Sequence, residues 1–297
     1  MPFKSQIRTM TFPASIAEEL VQACRKHGVT LTALLHGIAL VSLAPLSLGE
    51  PEGKAADAFA FLTPMNIRRF LPPLPSGGRN GCFKKRFDAE SAMGNYVTII
   101  EHVADEELVG RVRRTLTESN LKYASGYNSQ QTRGAEAELV LAEVQDLIFA
   151  VARRVRTDLA AKSASCSTTQ GLENDMIGFL SRGVSDWRGQ LQEEAKRPRK
   201  SSWVVSNLGV VEGKGEDDGW CMTRMSMTLC ANVVASAIGI TVASVKGGDL
   251  VVSVSWQEGV VDDKVGDAFV VAMERWLRLV AGWERAIMLA KYLRLAA

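Results

Sequence analysis

The sequence predicts an α+β protein built on a mixed, largely antiparallel β-sheet flanked by helices. Strand-like alternation of polar and apolar residues occurs near both ends of the chain and in its middle. Long stretches of helical periodicity lie between those strand regions, and no internal repeat or low-complexity linker divides them. With 297 residues, 46% of them hydrophobic, the chain can bury a substantial core. One unit over residues 1–297 is expected: a helix pair at 13–44, central strands and long helices at 57–160, and a strand-rich end with a closing helix at 201–281.

Gln6 to Phe12 alternates and reads as a strand. In the helix that follows, Ser15 and Glu18 have capping-box spacing, and Ile16, Leu20 and Cys24 keep one apolar face. Gly28 ends it, and Thr30 caps a second helix, Leu31 to Ala44, apolar nearly all round and stopped by Pro45. Ala58 to Leu62 reads as a strand running into Thr63–Leu71, with a proline- and glycine-rich loop over 72–82. Asn95 to Val103 is the next strand, with Tyr96, Thr98, Ile100 and His102 on one face. Helical patterns cover about Asp105–Leu121 and Ala135–Leu159, the second with Val140, Val144, Leu147, Val151 and Val155 on one stripe. Residues 162–200 are more polar and predict one or two shorter helices. Ser202–Ser206 and Trp220–Ala231 read as strands. Ser236–Val245 and Leu250–Trp256 flank a hairpin turn whose glycines supply positive φ. A final helix starts near Asp262 and presents Val265, Phe269, Met273, Trp276 and Val280 to the core.

Lys and Arg (35) nearly balance Asp and Glu (33), so a net charge of +2 provides no field for nucleic acid or anionic membrane. Five scattered cysteines without a C-x-x-C pair argue against a disulfide framework or zinc site and for a reducing compartment. The N-terminal residues lack an apolar core of signal-peptide length, and the most apolar run, Leu31 to Leu43, is too short to span a bilayer. A soluble, cytoplasmic protein is expected. The segment Glu212–Gly219 imitates a phosphate loop but lacks its G-K-[ST] ending and is read as a loop. Common dinucleotide, serine-hydrolase and zinc-protease motifs are absent from the sequence.

Chemistry-bearing candidates are few. His102 heads a shifted H-x-x-x-D-like run with Glu106 in the acid position, and is either a weak candidate for a catalytic base or a strand-end histidine bonded locally. His36, inside the apolar helix, reads as a satisfied core histidine. Arg224, Ser226 and Thr228 make a polar row that either lines a tunnel, where it could hold an oxyanion, or faces solvent. The nearby Met222, Met225 and Met227 read as core filler.

The order of several segments is more telling than any one of them. Ile7 to Leu43, with ACRKHGVTLTALL at its centre, resembles the start of the second half of fungal alcohol acetyltransferases. Thr63 to Leu71 (TPMNIRRFL) resembles that family's strand ending in T-P-V-D-L-R. Ser206-Asn207-Leu208-Gly209 resembles its SNLG element, in the place of D-F-G-W-G in the plant BAHD branch. Leu250 to Val261 resembles its late strand and turn. The resemblance implies the CoA-dependent acyltransferase superfamily, which also holds the condensation domains of peptide synthetases. It implies one lobe, the C-terminal one, of a two-lobed fold with a tunnel between lobes, in which Ser206, Asn207 and Gly209 shape the tunnel mouth.

The family's H-H-x-x-x-D motif supplies the general base and sits on the other lobe. Here His27, His36 and His102 are the three histidines, and none is adjacent to another. The implied activity of the complete protein is transfer of an acetyl or other acyl group from acyl-CoA, a co-substrate rather than a bound cofactor, to a small-molecule alcohol. A first-lobe protein or self-association would complete it. The alternatives are an inactive descendant that binds a hydrophobic small molecule or partner protein, and a condensation lobe acting in trans.

Overall fold

A computed structural model of the chain describes residues 3–46, 56–70, 96–124, 130–167, 185–213 and 219–282. Its strands are β1 (Ser5–Phe12), β2 (Phe59–Asn66), β3 (Val97–Ala104), β4 (Trp203–Val211), β5 (Ile238–Val245) and β6 (Leu250–Gln257). Its helices are α1 (Ala14–Lys26), α2 (Leu31–Leu43), α3 (Glu106–Ala124), α4 (Gln130–Cys166), α5 (Trp187–Glu194) and α6 (Asp263–Val280). The strands form one sheet in the order β1-β6-β5-β4-β2-β3. The β1–β6, β5–β6 and β2–β3 pairs are antiparallel, and β2–β4 and β4–β5 are parallel. The fold is therefore α+β with a mixed sheet, as expected. The predicted loop over 72–82 lies outside the described residues.

Strand periodicity divides the sheet into two unlike faces. Met10, Phe12, Phe59, Phe61, Trp203, Val205, Ile240, Val242, Val252, Val254 and Trp256 point into one buried cluster with α1, α2, α4 and α6. Helix α2 is its centre, with every residue from Ala33 to Leu43 buried. That explains its nearly uniform apolarity: a helix covered on all sides has no polar face to keep. Gly37 lets the α4 backbone approach, because a methyl there would overlap the carbonyl oxygen of Ile148. In α4, Val144, Leu147, Val151 and Val155 are buried as the predicted stripe requires.

The ends of α1 and α2 follow from local chemistry, with one correction. Gly28 (φ +64°) closes α1, its N–H bonded to Arg25 and that of Val29 to Cys24, the paired reverse bonds of a Schellman motif. Thr30 Oγ1 accepts from the Ala33 N–H and caps α2. The expected capping box does not form, because α1 starts earlier, behind Pro13, and Ser15 already lies inside its first turn. The first strand–helix junction is thus set by the fixed φ of proline.

Three further elements differ from expectation. Strand β2 continues through Pro64 to Asn66. Proline is tolerated there because the parallel ladder to β4 has ended at Leu62, leaving no bond for the missing N–H to make on that side. Helix α6 buries Phe269, Met273 and Trp276 as predicted but adds Leu277 and Leu279, while Val265 and Val280 are only partly covered. Trp220–Ala231 is not a strand. It crosses the outer face of the sheet as an extended arm without a ladder, and its methionines are half-buried or exposed rather than core. Among the described residues no single helix is long and apolar enough to cross a membrane.

Candidate functional site

The Ser206–Gly209 segment forms a β-bulge near the end of β4. Asn207 pairs with Val242 and Val210 with Ser244, so β4 carries one extra residue against β5. Gly209 takes φ +89°, a conformation that side chains other than glycine's rarely accept. Asn207 holds the bulge from two sides. Its Oδ1 accepts the Gly209 N–H at 2.8 Å, and its Nδ2 donates to Thr32 Oγ1 in the first turn of α2 at 3.1 Å. Ser244 Oγ donates to the Gly209 carbonyl at 3.2 Å. Ser206, half-buried, points to the opposite face, beside its ladder partner Thr241.

The arm reaches that same outer face. Its polar backbone groups find partners one at a time: Met222 N–H with Gly213 O (2.7 Å), Thr223 O with Asp249 N–H (2.9 Å), and Met227 O with Thr241 Oγ1 (2.6 Å). Met227 therefore sits against the side chain of Thr241, the ladder partner of Ser206. Of the predicted polar row, Arg224 pairs with Asp249 at 2.7 Å, and Thr228 Oγ1 lies 3.5 Å from Ser253 Oγ, at the limit of a hydrogen bond. Arg224, Ser226 and Thr228 are all exposed. Ser206, Asn207 and Gly209 thus form one cluster, and Arg224, Ser226 and Thr228 lie on a separate segment that passes beside it.

Behind the bulge, in the core, lies a polar chain that crosses five elements. Trp203 Nε1 donates to His36 Nδ1 at 3.0 Å. His36 Nε2 meets Thr63 Oγ1 at 2.8 Å, Thr63 Oγ1 meets His102 Nε2 at 3.0 Å, and His102 Nδ1 meets Asp158 Oδ2 at 2.7 Å. An indole N–H only donates, which fixes the roles of the two nitrogens of a neutral His36. His36 accepts on Nδ1 and donates from Nε2. Thr63 Oγ1 then links His36 to His102 Nε2, and His102 Nδ1 lies against the Asp158 carboxylate.

Thr63, His102 and Asp158 have the connectivity of a nucleophile–base–acid triad. Access is what they lack: Thr63 and His102 are each 3% exposed and His36 0%. The acid at His102 is Asp158 of α4, not Glu106, which is exposed at the start of α3. Placed so, His102 has both ring nitrogens engaged in hydrogen bonds. Thr63, Trp203 and Asp158 carried no sequence signal of their own. The available hint was that two histidines on apolar faces, His36 and His102, each require buried partners. The third histidine, His27, stacks on Phe149 with ring centroids 3.7 Å apart.

The sequence matches no protein-family model. Over 274 residues, 91% of the chain, it is 23% identical to a probable alcohol acetyltransferase of Fusarium pseudograminearum (strain CS3096), of which it covers 45%. The structure superposes on the trichothecene 15-O-acetyltransferase of Fusarium sporotrichioides with a TM-score of 0.56, over 95% of this chain and 48% of that one, at 10% identity. The chain is thus similar in sequence to a probable alcohol acetyltransferase and shares the fold of an acetyltransferase.

This acyltransferase-fold chain spans about half the length of the relatives it matches. Among its described residues, no group of three or more His, Cys, Asp or Glu side chains could hold a metal ion. A cleft of about 700 Å³ opens at the far end of the parallel strands from the bulge, lined by Phe59, Ile238, Val260 and Val265 with Arg199 at its wall. Arg199 already donates to the carbonyls of Asn232, Ala235 and Ser236 and to Gln257. Its cation thus organises the wall of the cleft.

Proposed function

We propose that this chain is the C-terminal lobe of a CoA-dependent O-acyltransferase, which moves an acetyl or other acyl group from CoA to an alcohol of a small metabolite. The observation that carries this reading is the similarity to a probable alcohol acetyltransferase along nearly the whole chain. In this reading acyl-CoA is a co-substrate and no cofactor is resident. The bulge of Ser206, Asn207 and Gly209 shapes the tunnel mouth, and the arm of Arg224, Ser226 and Thr228 borders it. The base that deprotonates the acceptor hydroxyl comes from another lobe, because His36 and His102 are committed to the buried chain and His27 to Phe149.

An exposed apolar surface supports a missing neighbour. On the outer face Ile99 and Val103 of β3 are exposed, Leu208 is exposed at the bulge of β4, and Trp220 of the arm is 94% exposed. Side chains of this size, grouped on one face, mark a surface that another protein segment covers. The occupant is a lobe bearing the paired histidines, or a second copy of this chain.

The engagement of all three histidines also favours a second reading, a catalytically inactive binder of a hydrophobic small molecule or partner protein. Thiol release from acetyl-CoA, with a panel of alcohols, separates the two once a lobe carrying H-H-x-x-x-D is supplied. Turnover that needs both lobes supports the transferase. Tight assembly without turnover supports the binder, and no assembly at all refutes the missing-lobe reading.

A further inference from the structure

Helix α2 meets strand β4 through two side-chain bonds: Asn207 Nδ2 to Thr32 Oγ1 at 3.1 Å, and Trp203 Nε1 to His36 Nδ1 at 3.0 Å. Thr32 and His36 are four residues apart and share a helix face. Trp203 and Asn207 are four residues apart and share the helix-facing side of the strand. The first bond is indifferent to pH. The second exists only while His36 Nδ1 carries no proton, since the indole can only donate.

Protonating His36 would set a second N–H against the Trp203 N–H across 3.0 Å, in a position with 0% exposure. A ring at the surface could turn away into water, but here α2, β2, β3 and β4 enclose it. Among the described residues the groups facing it are Trp203 of β4, Phe61 and Thr63 of β2 and His102 of β3. The nearest carboxylate in the network, Asp158 of α4, is bonded to His102 rather than to His36. An imidazolium at His36 would therefore have no anion beside it. We propose that the Trp203–His36 bond is an acid-sensitive latch that holds α2 against β4 and, through Thr32, steadies the Asn207 bulge.

The latch is independent of whether the chain transfers acyl groups. Burial, and secondarily the neighbouring His102 ring, holds His36 well below the usual histidine value of 6.5. The unfolded chain takes up a proton at this position near the ordinary value, whereas the folded chain does not. Stability is therefore complete at neutral pH and falls as pH drops below about 6.5, until the folded value is reached.

The test is denaturant unfolding between pH 7.5 and 5.0 for the wild type, His36→Gln and Trp203→Phe. One extra proton bound by the unfolded state raises the unfolding constant about tenfold per pH unit at the acid end. The wild type should be steeper than His36→Gln by that factor, with Trp203→Phe in between. Equal slopes in the wild type and His36→Gln overturn the proposal, as does an unaltered slope in Trp203→Phe. Should the variants fail to fold, nitrogen-15 NMR of the wild-type imidazoles decides it. A neutral ring protonated on Nε2 at pH 6 is expected for His36, and an Nδ1-protonated or cationic ring refutes the latch.

Discussion

Replacing Asn207 by alanine removes two hydrogen bonds at once, the acceptor for the Gly209 N–H at 2.8 Å and the donor to Thr32 Oγ1 at 3.1 Å. Each partly buried bond of this kind contributes about 1 kcal/mol net. The variant should therefore lose about 2 kcal/mol, roughly a thirtyfold rise in the unfolding constant. Thr32→Val removes the second bond alone and should cost about 1 kcal/mol. The double variant should be little worse than Asn207→Ala, since both changes delete the same contact. Denaturant titration of the four proteins measures all of this. In a reconstituted two-lobe enzyme, activity should fall only in step with the folded fraction. If instead Asn207→Ala kept its midpoint while turnover dropped about a hundredfold, Asn207 would be a donor to the reacting group and the structural argument would fail.

Other outcomes are as definite. Gly37→Ala should destabilise by about 3 kcal/mol in the same titration, because its methyl would meet the Ile148 carbonyl on α4 rather than a side chain that can turn aside. Cys24 is buried and its thiol is pushed up to about 11, whereas Cys221 and Cys230 are exposed. A thiol reagent at pH 8 should modify those two quickly and Cys24 only on unfolding, as peptide mapping would show. The isolated chain should release no thiol from acetyl-CoA with any alcohol tested; robust turnover lost in His102→Ala would overturn the assignment of the base to another lobe. It should also bind a hydrophobic dye or self-associate, and sedimentation as a clean, dye-silent monomer would count against a missing neighbour.

Much of the scaffold was legible because its signals are local. Thr30 reads as a cap from its place before an apolar run, and it caps. The β5–β6 hairpin follows from two apolar stretches around Gly247, which takes φ +70°. The Trp220–Ala231 segment misled because alternation reports only that a chain is extended beside apolar surface. Whether it joins a ladder depends on a vacant strand edge, and this arm runs over the face of strands that already have partners. Ser15 misled for a related reason, as a capping pattern says nothing of a proline that starts the helix earlier.

The candidate site divides along the same line. By itself the sequence determined that Gly28 closes the first helix, that Thr30 caps the second, and which stripe of each helix is apolar, because each depends on residues a few positions apart. Only the tertiary structure decided that Asn207 reaches Thr32 across 175 residues, and that His102 takes Asp158, 56 residues away, instead of Glu106 four residues away. The order of the strands made that choice. Burying β3 beneath α4 removes His102 from water, and a buried imidazole takes its partners from whatever the packing brings within 3 Å.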